Sequence, residues 1–484
     1  MRIYRDVKTR LALLVVLMVP FMFSCSHQQE MSTPHNNSHV RDLSEIRQSG
    51  KLKVVTDFNS INYFIYRGQP MGFQYDLLQE LSDYLGIPIE VKVNNDLQKN
   101  FDELEHGDID LIASNLTITG DRKEMVNFTL PHSQTRQVLV QRKENKKNSF
   151  FAPAELVRNP IQLGGKTVYV QKGSVYVDRL RHLSEETGEK INIVEVPIEA
   201  EQLIRMVARK EIDYTVADEN IASVNSSYFS DLDTETVISF PQNQAWAVRK
   251  GADKLRDEIN YWLEGFKKTR HYAVLYNKYF KSSRSASIVK SAYYYPETGR
   301  ISRYDNILKK EADNIGWDWR LLASMVYQES RFNPQAKSWA GAFGVMQLMP
   351  FTAKRFGVDA SSSPAAQIHA GVRFIHWLDV QLKPYVQDKK EREKFVLASY
   401  NIGMGHVLDA MKLAEKYGKN PAKWEDNVEF YLLKKSDPKY FTDPVVKNGY
   451  ARGTETFRYV RDIMYRYNHY LNINENTDLA QLVK

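Results

Sequence analysis

The pattern of hydrophobic and polar positions divides the chain near residue 300. Before that point, short β-rich runs such as 52–58 alternate with amphipathic segments such as 73–86, whose leucines share one helical face. This alternation predicts an open α/β sheet covered by helices. After residue 300 the apolar positions recur at helical spacing, which predicts an α-rich domain. Further strands are predicted at 89–93 and 109–114, and further helices at 303–316, 369–382, 393–403 and 456–471.

A predicted helix over residues 318–330 places a carboxyl group in an unusual position. Leu322, Met325 and Val326 form its apolar stripe, and Glu329 is the next position on that face. A carboxyl group held against apolar side chains has a raised pKa, so it can act as a general acid near neutral pH. The alternative is an ordinary glutamate at a helix end, which turns to solvent or pairs with an arginine.

Composition narrows the class of protein. The chain has 484 residues, of which 43% are hydrophobic and 26% are charged, and its formal net charge is +7. These values are typical of a soluble globular protein with two or three domains. The basic residues are dispersed and no basic-aromatic nucleic-acid module is recognisable, so nucleic acid is not an expected partner. We also predict no metal and no cofactor, because no cluster of His, Cys, Asp and Glu has ligand spacing.

The first 25 residues predict a targeting segment rather than part of the fold. Basic residues precede an apolar run over 11–23, which is too short to cross a bilayer. Cys25 follows this run and is the only cysteine, so an intramolecular disulfide is excluded. The arrangement resembles a bacterial lipoprotein signal, which implies lipidation of Cys25 and, because Ser26 is not an aspartate, anchoring at the periplasmic face of the outer membrane. An incidental cysteine beside an ordinary cleavage site is the alternative.

Four short motifs follow one another in the C-terminal region. They are Glu329-Ser330, GVMQ from Gly344, Ser399-Tyr400-Asn401 and ETFRYV from Glu455. In this order they resemble the lysozyme-like domain of the soluble-type lytic transglycosylases. The resemblance implies cleavage of the β-1,4 bond between MurNAc and GlcNAc of peptidoglycan, with formation of a 1,6-anhydroMurNAc end.

The same resemblance implies a role for each motif residue. Glu329 is expected to be the catalytic acid, and it is the only acidic residue between Asp318 and Asp359. This suits a reaction that needs one carboxyl group, whereas most glycosidases use two. For Met346 and Met349, a place in the hydrophobic core is a nearly equal interpretation. The expected substrate-binding or cleft residues are Ser330, Ser338, Met346, Gln347, Met349, Tyr400, Asn401, Glu455 and Tyr459.

The segments before residue 281 resemble the type 3 periplasmic solute-binding proteins that bind amino acids. The strings GFQYDLLQEL, GDIDLIASNLTITGDRKEMVNFTLPH, GKTVYVQKGSVY and IDYTVADENIA carry this resemblance. In that family two lobes close on the ligand, and we place the two crossings of the chain between lobes near 141–143 and 239–242.

The solute-binding resemblance also implies a ligand pocket. Arg122 would pair with the α-carboxylate of an amino acid and Asp218 with its α-amino group. For Arg122 alone, a surface arginine on a short helix is the alternative. A cell-wall peptide could replace the free amino acid as ligand. The other expected pocket residues are Ser114, Asn115, Thr117, Gly173 and Ser174.

Five segments are therefore expected along the chain. A signal peptide (1–25) and a flexible tether (26–42) precede a bilobal α/β domain (43–281), a linker (282–300) and an α-rich lysozyme-like domain (301–484). The expected function is that of a murein lytic transglycosylase whose N-terminal domain binds a ligand and regulates activity. Two alternatives stay open, namely a peptidoglycan hydrolase of the lysozyme type and a ligand sensor with an inactive C-terminal domain.

Overall fold

A computed structural model of the protein describes residues 41–143, 156–281, 288, 291 and 299–472. The predicted signal peptide, the lipidation site Cys25, nearly all of the tether and most of the linker lie outside these residues. Within the described ranges, no helix has both the length and the apolar character needed to cross a membrane.

Two lobes make up the described residues between 41 and 281. The first lobe contributes α1 (Leu43–Ser49), β1 (Leu52–Thr56), β2 (Phe64–Tyr66), β3 (Gln69–Met71), α2 (Phe73–Leu85), β4 (Ile89–Val93), α3 (Leu97–His106), β5 (Leu111–Thr117), α4 (Gly120–Met125), β6 (Val126–Phe128) and β7 (Ser133–Thr135). The second lobe contributes β8 (Gln137–Arg142), the 3-10 helix Pro160–Leu163, β9 (Thr167–Gln171), α5 (Val175–Thr187), β10 (Asn192–Val196), α6 (Ala200–Ala208), β11 (Tyr214–Asp218), α7 (Glu219–Ser226) and β12 (Leu232–Val237). The chain then returns to the first lobe with β13 (Gln242–Arg249), α8 (Asp253–Phe266) and α9 (Arg270–Phe280).

Each lobe is built around its own mixed sheet. The strand order is β4-β1-β5-β13-β6 in the first lobe, with β7 also paired to β13, and β10-β9-β11-β8-β12 in the second. In both sheets three neighbouring strands are parallel, and the strands next to them are antiparallel. Because ligands of such sheets bind beyond the carboxyl ends of the parallel strands, the cleft between the lobes is the expected site.

The chain crosses between the lobes at Arg136 and again at residues 238–241. The second crossing agrees with the sequence prediction, but the first prediction, near 141–143, was wrong. Gln141 lies inside the second lobe, where its buried amide nitrogen donates to the carbonyl oxygen of Val157 at 2.8 Å. Gln141 is therefore a buried polar residue near the end of β8 whose hydrogen-bonding groups have partners, and it does not mark a hinge.

The described residues 299–472 form helices joined by turns and loops, as predicted. These helices are α10 (Asp305–Ile315), α11 (Trp319–Ser330), α12 (Pro350–Arg355), α13 (Pro364–Leu382), α14 (Lys389–Ile402), α15 (Met404–Lys416), the π-helical turn Trp424–Val428, α16 (Glu429–Lys434), α17 (Pro438–Phe441) and α18 (Gly453–Leu471). The predicted fold class, a bilobal α/β domain followed by an α-rich domain, is confirmed.

Helix α18 joins the helical domain to the first lobe. It packs along α11 and α14, and its C-terminal end contacts the first lobe directly. The hydroxyl of Tyr63 lies 2.8 Å from Nδ1 of buried His469, and the hydroxyl of Tyr470 donates to the carbonyl oxygen of Gly68 at 2.5 Å. The two domains therefore share a buried, hydrogen-bonded interface.

Candidate active site

Helix α11 carries the candidate acid on the face that the sequence pattern predicts. It begins after Asp318, whose carboxylate accepts a hydrogen bond from the backbone N–H of Arg320 at 2.9 Å. Leu322, Met325 and Val326 are fully buried. Glu329 lies on the same face but is only partly buried, so its carboxyl group can meet a substrate.

Among the residues that the structure describes, Glu329 has one hydrogen-bonding partner, the hydroxyl of Tyr459 on α18, which donates to its Oε1. Burial raises the pKa of Glu329 to about 7, although the Tyr459 hydrogen bond acts in the opposite direction. No lysine or arginine of the described ranges forms an ion pair with this carboxyl group. Glu329 can therefore hold a proton near neutral pH and give it up.

A second tyrosine lies near the acid. Tyr400, on α14, donates its hydroxyl to the carbonyl oxygen of Met346 at 2.8 Å. Burial raises the pKa of both Tyr400 and Tyr459 well above the ordinary value, and the nearby charge of Glu329 adds to the shift. Both hydroxyl groups consequently remain protonated donors.

The chain reverses immediately after the acid helix. Arg331 and Phe332 both adopt left-handed backbone conformations, with φ of 51° and 63°. Such conformations are strained for residues other than glycine and are commonest at functional sites. The hydroxyl of Ser330 then donates to the carbonyl oxygen of Val345 at 2.7 Å, which brings the GVMQ motif beside the end of α11.

Gly344 opens the GVMQ motif at a position where any other residue would be strained. Its φ is 78°, and a Cβ atom at this position would lie 2.1 Å from Oε1 of Gln367. The same oxygen accepts a hydrogen bond from the backbone N–H of Val345 at 3.0 Å. Gln347 donates its side-chain nitrogen to the carbonyl oxygens of Ala336 and Gly344, so the motif forms a rigid wall.

The other predicted residues of the helical domain differ in burial and in their contacts. Met346 is fully buried against Gly371, so the core interpretation applies and the cleft interpretation was wrong for its side chain. Met349 is 45% exposed. Asn401 accepts a hydrogen bond from Thr456 at 2.7 Å.

Ser338 and Glu455 have polar partners other than Glu329. The hydroxyl of Ser338 accepts a hydrogen bond from the backbone N–H of Ala342 at 2.9 Å, which closes a tight turn. Glu455 is exposed, with its carboxylate 3.8 Å from the guanidinium of Arg452.

The cleft between the lobes contains a second candidate site. A cavity of about 70 Å³ is lined by the predicted residues Ser114, Asn115, Thr117, Arg122, Ser174 and Asp218. Gly173, the remaining predicted residue, contributes its carbonyl oxygen, which accepts a hydrogen bond from the guanidinium of Arg122 at 3.4 Å. The structure thus brings together all seven residues that the sequence assigned to the pocket.

Arg122 and Asp218 are both buried in this cavity. The Arg122 guanidinium also donates to the carbonyl oxygen of Thr117 at 3.1 Å. Asp218 accepts a hydrogen bond from Gln244 at 2.6 Å through one carboxylate oxygen. Burial raises the pKa of Asp218 to about 7, while hydrogen bonds from Tyr176 and Gln244 and the charge of Arg122 lower it.

Sequence reasoning missed several residues of the same cavity, among them Asp57, Asn62, Tyr176 and Glu199. Asp57 directly follows strand β1, at the carboxyl end of a parallel strand, and this position could have identified it. Several buried polar atoms of the cavity have no hydrogen-bonding partner among the described residues, which is unusual in a protein interior. They are Asp57 Oδ1, Asn62 Oδ1, Ser114 Oγ, Asn115 Nδ2 and Asp218 Oδ1.

Comparison with known proteins agrees with this two-part architecture. Residues 52–282 match the family of bacterial extracellular solute-binding proteins, family 3, and residues 306–423 match the transglycosylase SLT domain. A membrane-bound lytic murein transglycosylase F of Desulfosudis oleivorans is 35% identical over 88% of this chain and 91% of its own length. The chain belongs to this family. Both resemblances inferred from the motifs are therefore confirmed.

A second member of the membrane-bound lytic murein transglycosylase F family, from Pseudomonas fluorescens, is 31% identical over 87% of this chain and 85% of its own length. Among solved structures, an ancestral arginine-binding protein bound to arginine covers 48% of this chain and 98% of its own, with 26% identity and a TM-score of 0.41. The roles of individual residues in both sites remain predictions.

Proposed function

We propose that the protein cleaves the β-1,4 bond between MurNAc and GlcNAc of murein without water and leaves a 1,6-anhydroMurNAc end. The observation that carries this proposal is the environment of the Glu329 carboxyl group, which has no charged partner among the described residues. Burial raises the pKa of this group to about 7. The side chain is partly accessible, and a tyrosine hydroxyl is its hydrogen-bonding partner. Such a group is suited to give one proton and take one back.

In the proposed reaction, protonated Glu329 gives its proton to the glycosidic oxygen, and the bond from that oxygen to C1 of MurNAc breaks. The family resemblance implies that the acetamido oxygen of MurNAc stabilises the developing cation. The Glu329 carboxylate then removes the proton from the C6 hydroxyl of the same MurNAc, whose oxygen attacks C1. The carboxyl group ends protonated, as it began, and no water is consumed.

The surroundings of Glu329 favour this reaction over hydrolysis by a pair of carboxylates. In most glycosidases the second carboxyl group lies about 5–9.5 Å from the first, where the two charges interact. Among the described residues, no second carboxylate contributes to the shift in the pKa of Glu329, whose causes are burial and Tyr459. A lysozyme-type hydrolase is the alternative.

Product analysis separates the two reactions. Purified protein is incubated with isolated sacculi in water enriched in oxygen-18, and the soluble muropeptides are analysed by mass spectrometry. We expect 1,6-anhydro products, which are lighter than reducing products by one water and carry no label. Labelled reducing ends would establish the hydrolase instead. Absence of any product from a folded protein that still binds a ligand would support the inactive sensor.

For the cleft between the lobes we propose an amino acid or a cell-wall peptide as ligand. Arg122 and Ser174 would receive its α-carboxylate, and Asp218 its α-amino group. The unpartnered buried atoms of the cavity support a polar ligand. Three carboxylates, those of Asp57, Glu199 and Asp218, face one guanidinium in the lining, which favours a ligand that carries an ammonium group.

Calorimetric titration with free amino acids and with purified stem peptides tests the proposed pocket. We expect a zwitterionic amino acid or peptide to bind, and N-acetylation of its α-amino group to abolish binding. Equal binding of the acetylated compound would contradict the role of Asp218.

Regulation of the enzyme by this ligand has a physical route in the fold. The loop after β1 carries Asp57 and Asn62 into the cavity, and it continues to Tyr63, which contacts His469 on α18. The same helix carries Tyr459, the partner of Glu329. A ligand that moves the loop would therefore act on the helix that holds the acid.

We further propose that Cys25 carries a lipid and anchors the protein at the periplasmic face of the outer membrane. Metabolic labelling with a fatty acid, followed by separation of the membranes, tests this proposal. We expect Cys25→Ser to lose the label, and Ser26→Asp to keep the label but move to the inner membrane. Label on Cys25→Ser would contradict it.

A further inference from the structure

A groove opens beside the segment that forms the wall of the acid site. It has a volume of about 740 Å³ and lies between the turn at 337–343 and helix α12 with the loop that follows it. Phe343, Pro350, Ala353 and Val358 give it a mainly apolar lining. Ligand sites in proteins are typically concave, mostly apolar surfaces of this size.

Two aromatic side chains adjoin this groove in the chain and project into solvent. Trp339 is 97% exposed and Phe351 is 84% exposed, which makes them the most exposed large hydrophobic side chains among the described residues of the helical domain. An indole in water forfeits the free energy that burial of its large apolar surface would provide. Exposed aromatic groups beside an apolar groove therefore mark a binding surface.

The turn that carries Trp339 is held rigidly by Ser338. The backbone N–H of Ser338 donates to the carbonyl oxygen of Ala342 at 2.9 Å, and the N–H of Ala342 donates to the Ser338 hydroxyl at 2.9 Å. A third bond joins the N–H of Gly341 to the carbonyl oxygen of Ser338 at 3.1 Å. An aromatic group on such a turn loses little backbone freedom when it binds a ligand.

One stretch of chain takes part in both the groove and the acid site. Residues 336–350 line one side of the groove and also form the GVMQ wall beside Glu329. This stretch is held together internally, because the Gln347 side chain donates to the carbonyl oxygen of Ala336 and Phe343 pairs with Leu348 through two backbone hydrogen bonds of 3.2 Å. Ser330 fastens this stretch to the helix of the acid. A polymer bound at Glu329 would therefore extend into the groove.

The groove also carries positive charge. Lys337 and Lys354 line it, and neither ammonium group forms an ion pair or hydrogen bond with the described residues. The one carboxylate in the lining, that of Asp359, already accepts hydrogen bonds from the backbone and side chain of Ser361 at 2.9 and 2.7 Å. An occupant with apolar faces and carboxylates would match this surface.

From these contacts we infer that the groove binds the glycan strand beyond the cleaved bond, with Trp339 and Phe351 stacking on sugar rings and Lys337 and Lys354 meeting carboxylates of the attached peptides. This inference rests on the proposed transglycosylase function. Acetamido methyl groups of the strand would pack on the apolar lining. Binding energy from sugars remote from the reacting bond would raise kcat/KM on long strands.

The dependence of activity on strand length tests the aromatic contacts. We expect Trp339→Ala to lower kcat/KM on long peptide-free strands by about tenfold, the factor that corresponds to the loss of one aromatic contact. On the shortest cleavable strand, kcat/KM should be unchanged. Trp339→Phe should recover most of the loss. Tyr385→Ala is the matched control, because it removes an aromatic side chain that is 55% exposed and lies outside the groove lining. This variant should leave kcat/KM unchanged on both long and short strands.

The double variant Lys337→Gln/Lys354→Gln tests the charge contacts. We expect weaker cleavage of strands that carry peptides, and unchanged cleavage of peptide-free strands. Equal kcat/KM of wild type and Trp339→Ala at every strand length would overturn the inference while leaving the transglycosylase proposal intact. If the wild type forms no 1,6-anhydro product, the proposed function fails, and retention of long strands by Glu329→Gln with and without Trp339→Ala still decides whether the groove binds glycan.

Discussion

Asp218 in the cleft and Glu329 in the helical domain have pKa values raised to about 7 by burial, yet their surroundings are opposite. Asp218 shares its cavity with two other carboxylates and the guanidinium of Arg122, and its Oδ1 has no hydrogen-bonding partner within the described part of the chain. Glu329 is held by a single tyrosine hydroxyl, with no cation paired to it in the described ranges. The first arrangement suits the binding of a cation, and the second suits the storage of a proton.

The comparison shows that a raised pKa does not by itself identify a catalyst. Burial produces the same shift at both positions, and it is the neighbours that determine its use. At Asp218 a ligand ammonium group would stabilise the carboxylate and lower its pKa again. At Glu329 the Tyr459 hydroxyl is the one such stabilising group among the described residues, so in the proposed reaction the proton would be available for the glycosidic oxygen.

Replacement of the acid should have the largest effect. We expect Glu329→Gln to lower kcat on sacculi by at least about a hundredfold, the scale of general acid catalysis, because glutamine cannot give or take the proton. Release of anhydro-muropeptides measures it. Glu415→Gln, an exposed position on α15, is the control and should retain full activity. Full activity of Glu329→Gln would remove this residue from the mechanism.

The same variant should be more stable than the wild type at alkaline pH. The folded-state pKa of Glu329, about 7, lies above the ordinary value of 4.5, so the folded protein binds this proton more tightly than the unfolded chain. Its contribution to stability therefore falls as pH rises from about 4.5 to 7. Above pH 7 we expect Glu329→Gln to gain up to roughly 3 kcal/mol in the free energy of unfolding. Denaturant titrations at pH 4 and pH 8 measure it, and an equal difference at both values would contradict it.

In the cleft, Arg122→Gln removes the guanidinium and should weaken ligand binding by about a hundredfold, the factor that corresponds to the loss of a charged, bidentate contact. Calorimetric titration measures the affinity. Arg181→Gln, at an exposed position on α5, should bind as the wild type does. Because Arg122 and Glu329 belong to different sites, Arg122→Gln should still cleave sacculi in the absence of ligand.

The two sites also differ in how far the sequence could predict them. The stripe formed by Leu322, Met325 and Val326 identified the helix face that carries Glu329, because the apolar residues and the glutamate all belong to one helix. Asp57 and Glu199 are far apart in the chain and meet only when the two lobes come together, so no local pattern relates them. The first crossing was misplaced for a similar reason, since the polar end of β8 becomes buried only through contacts with residues near Val157.

Removal of the Tyr459 hydroxyl should change the pH dependence of the enzyme. This hydroxyl donates to the Glu329 carboxylate and lowers its pKa, so Tyr459→Phe should raise that pKa above about 7. The acid form then persists to higher pH, and the alkaline limb of kcat/KM should move upward. Tyr400→Phe is the matched control, because the Tyr400 hydroxyl donates to Met346 and not to the acid. A downward shift in Tyr459→Phe would contradict the assignment.

The smallest expected effect concerns communication between the two sites. Tyr63→Phe removes the contact with His469, which is buried and whose pKa burial lowers to about 3, so it is a neutral partner. We expect basal activity to stay near the wild-type value, while the response of activity to a saturating cleft ligand falls by up to about fivefold, the worth of one buried hydrogen bond. Tyr261→Phe, at a position that is 76% exposed on α8, should leave the response intact. If the activity of Tyr63→Phe responds to the cleft ligand as that of the wild type does, the contact between Tyr63 and α18 does not transmit ligand binding to the acid site. Asp218 and Glu329 then act independently.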